Sequence, residues 1–218
     1  MTLVLSTLFT DVELGILHEA AAALEFRDGA RTAGRLARAV KANEQAMDSA
    51  ACRAVLAKVE TALRNHPVFM SAARPKAFVR LLVSRYQTGQ TYGTHVDDAL
   101  MGGKRTDLSF TLFLSNPNDY EGGALVIEDR LEDRAIRLSA GEAVLYPSTS
   151  LHRVDPVRSG TRLAVVGWIT SFIRDPAQRE ILMDLDEAII ATEARNGDPT
   201  QLARLARTRS NLLRMWAD

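Results

Sequence analysis

Hydrophobic and polar positions change rhythm twice along the chain. Up to about residue 75, apolar residues recur at helical spacing. Leu14, Leu17, Ala21 and Leu24 form one stripe, and Val55, Val59, Ala62 and Leu63 form a second. Thr10-Asp11-Val12-Glu13 has capping-box spacing, with Glu13 able to reach back to the Thr10 amide. The second helix should stop before Pro67. Residues 27–48 are polar and small, and read as irregular. From about 76 to 173 the period shortens, and residues 78–86, 108–115, 124–128, 143–146 and 162–172 read as strands. Turn clusters such as Asn116-Pro117-Asn118-Asp119 and Arg158-Ser159-Gly160 separate them. Short strands without intervening helical periods imply antiparallel pairing in a sandwich or barrel.

Helical spacing then returns. Asp175-Pro176 supplies an N-cap and a first-turn proline, and Ile181, Leu182, Leu185, Ala188 and Ile189 follow as an apolar face ending near Gly197. A last helix from about residue 200 carries Leu202, Leu205, Leu212, Leu213 and Trp216. Neither helix shows a catalytic pattern, so they read as a docked hairpin or an oligomer contact, with a homodimer expected. The chain thus divides into an N-terminal helical support (1–75), a β core (76–173) and a C-terminal helical extension (174–218).

Composition narrows the function classes. Its 218 residues, 46% hydrophobic and 25% charged, exclude disorder and suit one domain with an appendage. Equal numbers of basic and acidic residues, 27 each, leave no overall electrostatic footprint for nucleic acid or an anionic membrane. No apolar run approaches the roughly 20 residues of a membrane span, and the first residues lack the features of a secretory signal. The expectation is a soluble cytoplasmic protein with neither nucleic-acid nor membrane partners. The single cysteine, Cys52, excludes an internal disulfide and every thiolate-cluster metal site, and reads as an inert small hydrophobe.

Only four histidines exist, and two fall in the informative part of the chain. Side chains two apart in an extended segment share a face, so His95 and Asp97 aim at one point while Asp98 turns away. His152, opening a strand of its own, would complete a two-histidine, one-carboxylate set. Such a set covers one face of a metal and leaves positions open for substrate and oxygen, the arrangement of non-haem Fe(II) oxygenases. Ten residues further, Arg162 shares a strand face with Ala164, Val166 and Trp168. An inward arginine requires an anion, which the chain itself could supply as a salt bridge. Thr111, with Ser109 and Phe113, faces the same cavity, whereas Trp168 reads as core. His18, in a helix, and His66, before a proline, read as structural. Gly102-Gly103 and Gly122-Gly123 read as turns, with nothing after them resembling a phosphate loop.

The order Tyr86, His95-x-Asp97, Glu121-Gly122-Gly123, Gly141, Tyr146-Pro147, His152, Arg162 resembles the prolyl/lysyl-hydroxylase-like Fe(II)/2-oxoglutarate dioxygenases. It is more similar still to the bacterial PKHD-type hydroxylases associated with iron uptake. That likeness extends to Thr106-Asp107-Leu108-Ser109, Leu145-Tyr146-Pro147-Ser148, Ile173-Arg174-Asp175 and the segment from Asn211 to Trp216. It covers nearly the whole chain and is weakest in 27–50. The resemblance implies an α+β fold whose mainly-β core is a double-stranded β-helix, or jelly roll, flanked by N-terminal helices and a C-terminal helical hairpin.

It also implies His95, Asp97 and His152 as iron ligands and Arg162 as the residue holding the distal carboxylate of 2-oxoglutarate. Tyr86, on the same face as Arg80, Leu82 and Ser84, would either donate to that cosubstrate or pack beside it. No catalytic residue is expected beyond the iron site. Fe(II), 2-oxoglutarate and O2 are the implied cofactors, with L-ascorbate as a further one. Collagen-type relatives have a lysine where Arg162 stands, so a collagen-like prolyl substrate does not follow. A protein side chain, a free amino acid and a siderophore-related small molecule all stay open. Two rival classes use the same ligands: a metal-dependent hydrolase, and a non-enzymatic module that senses iron or 2-oxoglutarate.

Overall fold

A computed structural model describes residues 1–32 and 38–218 of the chain. Its largest element is a seven-stranded antiparallel sheet. In spatial order this sheet runs β1 (Leu3–Leu5), β13 (Ala143–Pro147), β9 (Leu108–Phe113), β16 (Arg162–Ser171), β5 (Pro75–Tyr86), β4 (Glu44–Ala46) and β2 (Phe26–Asp28). A second sheet holds β12 (Arg134–Ile136), β11 (Leu125–Ile127), β14 (His152–Val154), β6 (Thr91–His95) and β3 (Lys41–Ala42). Two short pairs, β7 (Leu100–Met101) with β8 (Lys104–Arg105) and β10 (Tyr120–Gly122) with β15 (Val157–Gly160), lie outside them.

Strand parity divides the large sheet into two environments. On β16, Leu163, Val165 and Ile169 point outward; on β9, Phe110 and Leu112 do; on β13, Ala143 and Leu145 do. These residues form one core with Leu17 and Ala21 of α1 (Asp11–Ala22), Val55, Val59 and Leu63 of α2 (Ala50–Asn65), and Phe69 of α3 (Pro67–Ala73). The opposite parity gives a second, smaller core between the sheets. Tyr86, Phe113, Val144 and Tyr146 come from the large sheet, and Leu125, Ile127 and Val154 from the small one. Helices therefore cover one face, while the other faces the interior where the sheets meet.

The capping chemistry read from the sequence is present. Thr10 accepts from the Glu13 amide at 3.3 Å, and the Glu13 carboxylate accepts from the Thr10 amide at 2.9 Å. The structure adds α3, which begins at Pro67 with His66 as its N-cap. His66 Nδ1 accepts from the Phe69 amide, and its Nε2 lies 2.9 Å from the Ser6 carbonyl, so this histidine is structural. His18 is tied likewise to the Leu114 carbonyl.

Two readings need correction. Residues 27–48 are not simply irregular: β2, β3 and β4 attach this stretch to both sheets. Arg158-Ser159-Gly160 belongs to β15, not to a turn, and Gly160 adopts a φ of 77°. A Cβ there would fall 2.2 Å from the Asp119 carbonyl, which explains why glycine, usually a turn signal, sits in a strand.

The C-terminal hairpin is formed by α4 (Pro176–Ala194) and α5 (Pro199–Trp216). Asp175 and Asp198 cap them, each followed by a first-turn proline. Its attachment is more polar than its apolar periodicity suggests. Leu182 is buried, but α5 buries no residue fully. Asp186 receives Arg74 Nη2 at 2.6 Å, Ser71 Oγ at 2.5 Å and Arg209 Nε. Asp218 pairs with Arg105 at 3.1 Å. Among the described residues, no helix is long and apolar enough to cross a membrane.

Candidate metal centre and cosubstrate cavity

β6 and β14 pair antiparallel with His95 opposite His152. Pairing alone brings the two imidazoles together, with ring centroids 4.2 Å apart. Asp97 follows two residues after His95, past the end of β6, and its Oδ1 comes within 3.9 Å of His152 Nε2. One ligand atom from each residue lies within 4.8 Å of the others.

The remaining atoms of all three side chains are already engaged. His95 Nδ1 lies 2.9 Å from the Gly93 carbonyl, and His152 Nδ1 lies 3.0 Å from the Ser150 carbonyl. Each Nδ1–H therefore donates to backbone, and each Nε2 presents its lone pair. Asp97 Oδ2 accepts from Ser109 Oγ at 2.6 Å, and that hydroxyl lies 2.7 Å from Ser148 Oγ. Oδ1 is left for a cation. Burial and the neighbouring His152 push the His95 imidazole down to about 4, so it is neutral near pH 7 and free to ligate. Tyr92 stacks on His95 at 3.6 Å, and Tyr146 meets His152 edge-on at 5.2 Å. Two imidazole nitrogens and one carboxylate oxygen, with no thiolate nearby, suit Fe(II).

These groups line a cavity of about 100 Å3, against the roughly 10–15 Å3 that one water requires. It has room for a small molecule. Arg162 lines the same cavity. It is only 1% exposed and, among the described residues, has no ion pair; its Nε and Nη2 are buried without any hydrogen-bond acceptor. The alternative of an internal salt bridge is therefore absent. Its neighbours are rings: Tyr86 at 5.4 Å and Phe113 at 5.0 Å from the guanidinium. Tyr86 is the direct cross-strand partner of Arg162. A buried guanidinium without an anion is costly, and a carboxylate entering beside it would find two parallel donors. The residues thus fit a small carboxylic acid as well as a metal.

Parity located Arg80, Leu82, Ser84, Ser109 and Thr111 correctly on the cavity wall. Trp168 is a correction. It lines the cavity, half-buried, with its indole N–H lacking an acceptor. Hydrophobic character suggested core, yet alternation had already placed Trp168 on the Arg162 face. Ser148, Lys41 and Tyr92 were missed. Lys41 and Ser148 had no signal, and alternation would turn Tyr92, three residues from His95, to the opposite face; it reaches His95 where the register between β6 and β14 shifts.

Comparison with known proteins places the chain in a family. Residues 81–170 match the family model of the 2OG-Fe(II) oxygenase superfamily, and residues 176–218 match that of the PKHD-type hydroxylase C-terminal domain. A PKHD-type hydroxylase of Maricaulis maris (strain MCS10) is 52% identical over 193 residues, covering 88% of each chain. One from Synechococcus elongatus (strain ATCC 33912 / PCC 7942 / FACHB-805) is 46% identical over 223 residues, covering both chains completely. In fold, the chain is similar to a prolyl hydroxylase from Trichoplax adhaerens, solved with a hypoxia inducible factor oxygen degradation domain peptide. The TM-score is 0.62 at 15% identity, over 78% of this chain and 83% of that one. The β core is accordingly a jelly roll, and the chain belongs to the PKHD-type hydroxylases, Fe(II)- and 2-oxoglutarate-dependent dioxygenases.

Proposed function

We propose that His95, Asp97 and His152 hold the Fe(II), and that Arg162 holds the distal carboxylate of 2-oxoglutarate with Tyr86 beside it. The carrying observation is a single cavity containing both a three-donor cluster and a fully buried, unpaired guanidinium. A hydrolase would use the donors but leave Arg162 without a task.

With iron and cosubstrate bound, O2 converts 2-oxoglutarate to succinate and CO2 while a substrate C–H becomes C–OH. The chain's own residues prepare this. The Gly93 and Ser150 carbonyls fix both imidazole tautomers, and the Ser109 hydroxyl turns one Asp97 oxygen towards the metal position. Arg162 supplies charge and direction for the diacid. Tyr86, Phe113 and Tyr146, all buried, keep water from that end. Each orients or excludes; none beyond the iron site transfers a proton.

Around this site we assign 1–75 as support, 76–173 as the dioxygenase core and 174–218 as a helical extension. The protein is assigned to the cytoplasm, as a homodimer, with no nucleic-acid or membrane partner. L-ascorbate is assigned as a further cofactor, and the substrate is a small molecule or a protein side chain. A link to iron uptake is supported by the sequence resemblance.

Anaerobic Fe(II) titration tests the ligand set. Asp97→Ala should abolish stoichiometric binding, whereas Asp98→Ala, whose side chain is exposed at the cavity rim, should keep it. The reverse order would overturn the choice of carboxylate.

A further inference from the structure

Beyond the metal and Arg162, the cavity mouth has groups that the cosubstrate reading leaves unused. Lys41 of β3 lies opposite Tyr92 of β6, with its Nζ 4.9 Å from the Tyr92 ring, which in turn stacks on His95. Arg80 of β5 is the cross-strand partner of Trp168 of β16. All four residues line the cavity. Among the described residues, neither Lys41 nor Arg80 has an ion pair or hydrogen bond, and the Trp168 indole N–H is buried without an acceptor. Donors of three strands thus line one opening: Arg80 is exposed to water, Lys41 is half-buried, and the Trp168 indole N–H is buried without an acceptor.

Charge sharpens the point. With the doubly positive metal and dianionic 2-oxoglutarate bound, Asp97 and Arg162 balance each other, and the interior is neutral. Lys41 and Arg80 then face Asp98 alone on the cavity wall, an excess of one positive charge. Burial and the facing Arg80 guanidinium pull the Lys41 ammonium down to about 8, although Asp97 and Asp28 act in the opposite sense. An anion placed between the two cations would relieve that repulsion. A buried acceptor also exists on the wall, Asn43 Oδ1, but unpartnered donors predominate there.

We infer that Lys41, Arg80 and the Trp168 indole form a carboxylate-recognition site for the primary substrate, which is therefore an acid hydroxylated at a carbon near its carboxylate. This rests on the reading of the cavity as a dioxygenase site. The carboxylate belongs either to a free small acid or to a peptide. A planar, acceptor-only group suits a guanidinium, an ammonium and an N–H arranged around it.

Trp168 provides the reporter. The chain has two tryptophans, and Trp216→Phe leaves Trp168 alone. The protein is loaded with Mn(II) and 2-oxoglutarate, and its fluorescence is quenched with iodide and, separately, with neutral acrylamide. Lys41→Gln/Arg80→Gln should reduce the iodide constant relative to acrylamide by about threefold, the effect of removing two screened charges within a Debye length. Added N-acetylglycine, or an acetylated hexapeptide with a free C-terminus, should relieve the iodide quenching, while their carboxamides should not. Whichever acid acts at the lower concentration identifies the source. An unchanged iodide ratio in the double variant, or amides equal to acids, or relief by neither acid, would overturn the site. So would a loss of 2-oxoglutarate affinity in the double variant as large as that of an Arg162 variant, because the cations would then serve the cosubstrate. Wild-type protein that binds no 2-oxoglutarate at all would instead overturn the dioxygenase reading on which the site rests.

Discussion

Buried arginines occur in two regions of this protein, and they are satisfied in opposite ways. At the seam between the β core and the C-terminal hairpin, Arg74 is 9% exposed and Arg179 is 4% exposed. Arg74 gives Nη2 to Asp186 and to the Leu182 carbonyl, and Arg179 gives Nη1 to the carbonyls of Ile173 and Arg174. Arg162, the most buried of the three, has aromatic rings around it and no acceptor. The seam arginines find a carboxylate or carbonyls within the chain, although Arg74 Nε is buried without an acceptor, and therefore hold it together. Arg162 finds no acceptor among the described residues, and the proposed cosubstrate carboxylate would supply one. The metal end of the cavity follows the same logic in reverse. Every atom of His95, Asp97 and His152 not needed for a cation is engaged, so only the ligating atoms stay open.

The strongest way to break this contrast is at the seam. Asp186→Ala would leave Arg74 buried without its carboxylate and would also free Arg209 and Ser71. Removing one partner of a buried pair costs about 3–5 kcal/mol, so urea unfolding should show a loss of that order. A loss below that of an ordinary surface substitution would mean the hairpin docks through apolar contact alone.

Arg162→Met should do the opposite. It removes an unpaired buried charge and keeps most of the volume, so stability in the absence of ligand should stay level or rise. Affinity for 2-oxoglutarate should fall by roughly 30-fold or more, equivalent to about 2–5 kcal/mol for a truncated buried charge partner. Arg162→Lys should recover part of it, because the charge persists and the two-pronged geometry does not. A variant that unfolds easily yet binds the cosubstrate normally would reverse the assignment of the two regions.

Ser109→Ala gives a smaller effect. Its hydroxyl positions Asp97 and does not touch the metal, and loss of such a partner typically costs about 10–100-fold in metal affinity. Isothermal titration with Mn(II) would measure it, and Ser148→Ala, one bond further away, should cost less. Equal losses in the two variants would show that the hydroxyl pair acts as one unit.

How much of this was legible beforehand depends on how far each feature is local. The chemistry of β16 was readable because its first seven residues run in unbroken register with β5, putting Arg162, Ala164, Val166 and Trp168 on one face. The caps at Thr10 and Asp175 were readable because they involve only three or four residues. β2, β3 and β4 were not, since strands of two or three residues show no period and owe their existence to β5 and β6. The Ser109–Ser148 contact joins residues 39 apart in sequence, and no local pattern announces it. Asp186 looked like one more polar residue on a helix, because the sequence does not show that Arg74 and Arg209 converge on it.

The most direct test uses a cosubstrate pair that differs only at the distal carboxylate. Fe(II)-loaded protein is titrated anaerobically with 2-oxoglutarate and with 2-oxobutyrate, following the visible band of the iron–keto-acid chelate. The account predicts that wild-type protein prefers 2-oxoglutarate by roughly 30-fold or more, and that Arg162→Met abolishes this preference while still forming the chelate with both acids. Equal affinity for the two acids in wild-type protein, or a preference that survives in the variant, would contradict it.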